Sequence, residues 1–160
     1  MNRQRLRAGI FALAALAGIA CLVRPSFTQS CSSSFTGTFS ASSFTLTFQS
    51  RTYDAVTDRT TVCYGLTSSP SGQSLDHFTI ELCSELRSAL VASANYSLAS
   101  PDGTTGLTGV KFGNTPGAGT YCFTVNGNWA LGCTNTGMGK DSVASSPVTG
   151  PIQGLVCAQG

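Results

Sequence analysis

The stretch Leu75-Asp76-His77-Phe78-Thr79-Ile80-Glu81-Leu82-Cys83 decides the fold. Phe78, Ile80 and Leu82 alternate with more polar neighbours, the period-two pattern of a half-buried strand. One face of such a strand carries Asp76, Phe78, Ile80 and Leu82; the other carries His77, Thr79, Glu81 and Cys83. A helical spacing also runs through Leu75, Phe78, Leu82 and Leu86. The strand is the preferred reading as far as Cys83, with a helical turn over residues 84–90. His77 is the only histidine in the chain.

Outward from this strand, the composition argues for more of the same. Of 160 residues only 10% are charged, while Ser and Thr together number 41. Many hydroxyls, many glycines and few charges suit short strands joined by tight turns, and argue against both disorder and a helical bundle. The length fits one domain. Residues 44–48 (Phe-Thr-Leu-Thr-Phe) form an alternating strand, preceded by a Ser/Thr/Gly-rich segment with Phe35 and Phe39 as anchors. Residues 52–64 read as a further strand, and 107–112 alternate again. Pro101-Asp102-Gly103 signals a turn. Asn126-Gly127-Asn128 lies between 121–125 and 129–131, where it reads as the tight turn of a hairpin. Residues 148–152 read as a closing edge strand that Cys157 could fasten.

The N-terminus has a different character. Arg3, Arg5 and Arg7 precede an uncharged run from Ala8 to Val23, the anatomy of a secretory signal and shorter than the ~20 apolar residues of a comfortable membrane span. Cleavage after Ala20 or nearer Ser30, a retained anchor, and a lipid on Cys21 are the alternatives. The chain therefore divides into a signal peptide and short linker over 1–30 and a β domain over 31–160. From Cys21 onward six Lys/Arg face seven Asp/Glu. That near-neutral balance leaves no basic patch for nucleic acid. Membrane contact is expected only through the leader or a lipidated Cys21.

Six cysteines follow the leader: Cys31, Cys63, Cys83, Cys122, Cys133 and Cys157. An even number in an exported chain reads as disulfides. Their spacings contain no CxxC or CxxH pair, so no metal site and no cofactor are expected. Asp76 and His77 point to opposite faces of a strand, so Asp76 is badly placed to orient His77 for catalysis. No Gly-x-Ser-x-Gly elbow occurs. A histidine hydrogen-bonded beneath a loop is the preferred reading of His77. Glu81 and Glu85 as paired carboxylates, and Asp54 and Asp58 as calcium ligands, are weaker readings than solvated or turn acids. Tyr53, Tyr64, Tyr96, Tyr121 and Trp129 offer aromatic area for stacking sugars, although strand aromatics more often fill cores. Trp129, Tyr64 and His77 are the ligand-facing candidates. Thr36, Thr38, Thr45 and Thr47 suggest short hydroxyl ladders, without a repeat to extend them.

Residues 62–64 (Val-Cys-Tyr), 75–83 and 109–112 (Gly-Val-Lys-Phe) follow one another in a telling order, continued by 121–129, Thr149-Gly150-Pro151-Ile152 and Cys157. Together they resemble a widespread exported bacterial β module with no assigned reaction. The resemblance covers residues 60–157, and departs from the pattern where Gly132-Cys133-Thr134 interrupts an expected strand. It implies a secreted or surface location. Set beside the resemblance, the cysteine positions favour Cys83–Cys157, Cys63–Cys122 and Cys31–Cys133, against a competing Cys122–Cys133 bridge across the hairpin. The expectation is an all-β protein: a single antiparallel β-sandwich with disulfides, following a signal-peptide helix. Its expected function is non-enzymatic, a structural or adhesive interaction module that meets an extracellular protein or glycan. A carbohydrate-binding module is the alternative, and a secreted hydrolase the third reading.

Overall fold

The computed structural model describes residues 31–140 and 147–157. The expectations for the leader, its cleavage and Cys21 lie outside the described residues. Among the described residues, nine strands and one short helix follow in order: β1 (Ser34–Phe39), β2 (Ser42–Asp54), β3 (Arg59–Ser69), β4 (His77–Glu81), α1 (Ser84–Ser88), β5 (Ser97–Ala99), β6 (Gly109–Phe112), β7 (Gly119–Asn126), β8 (Leu131–Gly139) and β9 (Val148–Leu155). They make two antiparallel sheets, a four-stranded one ordered β1-β2-β3-β7 and a five-stranded one ordered β5-β6-β4-β8-β9. The expected β-sandwich is the observed architecture.

Alternation decides what each sheet turns inward. Phe44, Leu46, Val62, Tyr64, Leu66, Phe123 and Val125 come from the first sheet and Phe78, Ile80, Val110, Phe112, Met138 and Ile152 from the second, all buried in one shared cluster. Aromatic edges cross between the layers: the Tyr121 ring meets Phe78 at 5.3 Å and Phe112 at 5.6 Å, both edge-on. Such contacts add to the area term because ring edges and faces carry opposite partial charge. Where the layers come closest, side chains give way to glycine. A Cβ on Gly37 would meet the Met138 sulfur at 2.9 Å, and one on Gly150 would overlap the Phe35 ring.

The quoted stretch forms β4, and the helical turn after Cys83 is α1, with Leu86 buried beneath it. Two expectations need correction. Residues 52–64 are not one strand. β2 continues to Asp54, a turn occupies 55–58, and β3 starts at Arg59. The turn is closed by Asp54, whose carboxylate accepts from the Val56 amide and the Thr57 hydroxyl. Second, the segment around Asn126-Gly127-Asn128 is not a hairpin. β7 pairs with β3, whereas β8 lies in the other sheet between β4 and β9. Local turn chemistry was outcompeted by tertiary bonds. The Gly127 amide donates to Asp58 O, the Trp129 amide to Thr60 Oγ1, and the Arg51 guanidinium holds both Trp129 O and the Asn128 side chain. Gly127 does adopt positive φ, at 94°, but to arch between layers. The Gly132-Cys133-Thr134 segment is likewise no interruption; it is the start of β8.

The disulfides are Cys31–Cys133, Cys63–Cys122 and Cys83–Cys157, the favoured set. Cys63 and Cys122 face each other across β3 and β7, with Cα atoms 4.1 Å apart. Cys83–Cys157 ties the end of β9 to the segment that follows β4.

Candidate functional site

Two surfaces carry distinctive chemistry, one on the outside of each sheet. On the five-stranded sheet, His77 (β4), Lys111 (β6) and Gly139 (β8) sit on the outer face. The register His77↔Gly139 sets the imidazole against bare backbone, because a Cβ on Gly139 would lie 2.4 Å from His77 Cε1. Residues 100–108 then lie over this face. Gly137 makes room for that loop, since a Cβ there would approach Thr105 to 2.7 Å and Leu107 to 3.1 Å.

The loop delivers a carboxylate. Asp102 Oδ1 accepts from the Thr104 amide at 3.1 Å, the Thr105 amide at 2.8 Å and the Thr105 hydroxyl at 3.0 Å, a local turn in which the side chain replaces a backbone acceptor. The same oxygen accepts from His77 Nε2 at 3.1 Å, and Oδ2 meets Lys111 Nζ at 2.6 Å. The Asp102 side chain is fully buried. Burial alone would push its carboxyl up. The Lys111 ammonium, the Thr105 amide, the nearby His77 and the Thr105 hydroxyl outweigh that and hold it well below the usual carboxylate range. Because the carboxylate can only accept, Nε2 is the donating ring nitrogen. Beside the ring is a depression of about 400 Å³ whose lining includes Asp76, His77, Asn95, Tyr96, Ser97, Lys111 and Asn114.

The outside of the four-stranded sheet is different in kind. Alternation turns Thr36 and Thr38 of β1, Ser43, Thr45 and Thr47 of β2, and Thr67 and Ser69 of β3 outward. The register aligns them in rows: Thr36–Thr45–Thr67, Thr38–Ser43–Ser69 and Ser34–Thr47. Thr36 and Thr45 hydroxyls bond at 2.9 Å, and Thr61 and Thr124 repeat the contact at 2.9 Å between β3 and β7. Strands ~4.8 Å apart put such rows at near-constant spacing. The ladders read as short in the sequence are extended here into rows over β1, β2 and β3, with a separate pair between β3 and β7. Asp54 and Arg59, at the far end of the β2–β3 hairpin, carry the charges.

Of the ligand-facing candidates, Tyr64 is corrected. It is fully buried, its ring edge-on to Phe48 and its hydroxyl donating to Gln153 O, because it lies on the inward face of β3. Burial raises its phenol well above the ordinary tyrosine range. Trp129 is half-buried at the arch, its indole N–H donating to Asn126 O. His77 is nearly buried, yet lines the depression. The five aromatics do not share a plane: Tyr121 and Tyr96 pack on Phe112, and Tyr53 donates to Asp58 at the hairpin. Glu81 accepts from the Asn135 side chain and Glu85 from Ser84, each serving its own neighbourhood. Cys83, Cys157 and Glu85 come within metal-ligand reach, but the two sulfurs are bonded to each other and offer no thiolate.

Sequence reasoning missed Asp102 and Lys111. Asp102 with Thr104 and Thr105 behind it signals a side-chain-capped turn, but nothing in the chain's order says that this turn folds over His77, 25 residues away. No family model matches the chain, and no curated protein or solved structure matches it either.

Proposed function

We propose that this protein is a non-enzymatic structural or adhesive module, secreted or held at the cell surface, that meets its partner through the outer face of the four-stranded sheet. The observation that carries this reading is the uncharged hydroxyl surface of the four-stranded sheet, aligned in register over β1, β2 and β3, with the Thr61–Thr124 pair on β3 and β7 beside it, and exposed at Thr36, Thr38, Thr47 and Thr67. A neutral surface of donors and acceptors matches neutral hydroxylated or amide-bearing partners, and lacks the cationic character that nucleic acid requires. Three disulfides are consistent with an oxidising, extracellular compartment. The resemblance to an exported β module supports the same location.

The His77 cluster favours a structural role over catalysis. Asp102 already serves His77, Lys111 and its own loop, and among the described residues no hydroxyl is hydrogen-bonded to the imidazole. A nucleophile activated by this ring would need that contact. A carbohydrate-binding module is the second reading, favoured by the polar depression beside His77. The test is a glycan array combined with pull-down from surface extracts, using the oxidised protein. Capture of a glycan or surface protein, lost when charge is placed on the hydroxyl rows, is the expected result. A hydrolytic turnover that vanishes in a folded His77→Ala variant would overturn the non-enzymatic reading.

A further inference from the structure

The depression over the five-stranded sheet has a floor and a rim of different chemistry. His77 forms part of the floor at 4% exposure, with Nε2 committed to Asp102. In the neutral ring that tautomer leaves a lone pair on Nδ1, able to accept a hydrogen bond. Lys111 reaches the same space; its ammonium has three protons and its side chain is 31% exposed. Ser97 and the amides of Asn95 and Asn114 stand at the rim, each able both to donate and to accept. Tyr96 also lines the depression and is held in place, its hydroxyl donating to Val91 O and its ring edge-on to Phe112 of the core.

We propose that this depression binds a neutral, polyhydroxylated ligand: one sugar residue, free or at the end of a glycan chain. A sugar hydroxyl can donate to Nδ1 while accepting from Lys111 or a rim amide, satisfying both kinds of group with one atom. The volume, about 400 Å³, lies within the range of small-ligand sites. Charge argues against an anion, which would meet the Asp76 carboxylate in the lining, while the Lys111 ammonium there is already engaged by Asp102 Oδ2. Geometry argues against a metal ion: the described residues bring three ligating groups together at Cys83, Glu85 and Cys157, not here. The proposal deepens the carbohydrate-binding reading and is independent of the hydroxyl rows on the other sheet, so failure of one leaves the other standing.

The experiment titrates the oxidised, isotope-labelled protein with glucose, galactose, mannose and glucuronate, reading backbone amide shifts. At least one neutral hexose should shift Ser97, Lys111 and Asn114 saturably at millimolar concentration, and glucuronate should bind more weakly than glucose. His77→Gln keeps a donor where Nε2 stood but has no counterpart of Nδ1. It should weaken binding about tenfold, the worth of one hydrogen bond. Ser97→Arg, at an exposed rim position, should abolish binding with the fold intact, and decides the matter alone if His77→Gln fails to fold. Absence of saturable shifts with all three hexoses, glucuronate binding as tightly as glucose, or undiminished binding by Ser97→Arg would each overturn the proposal.

Discussion

The outer faces of the two sheets solve the same problem in opposite ways. Each is a β surface not needed for the shared core. The four-stranded sheet leaves its face open and covers it with hydroxyls that bond to one another in cross-strand pairs such as Thr36–Thr45. The five-stranded sheet places a histidine and a lysine on its face, then brings residues 100–108 over them with a buried carboxylate. Open hydroxyls lose little by being exchanged, since water replaces any partner removed. Buried charged partners depend on one another, because a survivor left without its counter-charge keeps its desolvation cost. The first face is therefore free to change with a binding partner, and the second is constrained by folding.

Substitutions can break or sharpen that contrast. Asp102→Ala should have the largest effect, about 3–5 kcal/mol lost in chemical denaturation, because it strands His77 and Lys111 and opens the loop. A loss below ~1 kcal/mol would mean that the cluster is not structural. Gly139→Ala comes next, at about 2 kcal/mol, since its methyl would strike the His77 ring, which is bonded to Asp102. The pH dependence follows from the direction of the Asp102 shift. A folded-state value below the unfolded ~3.9 means that the carboxylate's contribution is present above that pH and lost as pH falls through it toward the folded value. The slope attributable to this one group approaches ~1.4 kcal/mol per pH unit, and Asp102→Asn should flatten that part of the acid limb. On the open face, Thr36→Val with Thr45→Val should cost no more than ~1 kcal/mol, since the pair is exposed and valine suits a strand. A larger loss would show that the hydroxyl rows hold the sheet together.

Much of the fold was legible because alternation is local. Phe44, Leu46, Phe78 and Ile80 announce their faces within a few residues, and those faces dictate two sheets around one core. The helical turn after Cys83 and the edge strand near Pro151 were legible for the same reason. Where the reading failed, a distant group had overruled a local signal. Gly127 has the conformation that a hairpin needs, yet Asp58, Thr60 and Arg51 redirect the chain across the sandwich. Tyr64 was a ligand candidate by residue type, and its inward position on β3 removed it. His77 was weighed only against its neighbour Asp76, which lines the same depression, whereas the carboxylate that it bonds, Asp102, lay in what the sequence shows only as a turn. The hydroxyl rows needed the registers of β1, β2 and β3 before they became a surface.

The central claim, that the open hydroxyl face is the working surface, is tested most directly by retention of the oxidised protein on surface material from the producing cells. Wild type is compared with a Thr36→Arg, Thr47→Arg double variant, and with Ser97→Arg as a control on the other sheet. The account predicts at least a tenfold loss of retention in the double variant, with its thermal transition unchanged, and a smaller loss in Ser97→Arg. Wild-type retention of the double variant would contradict it.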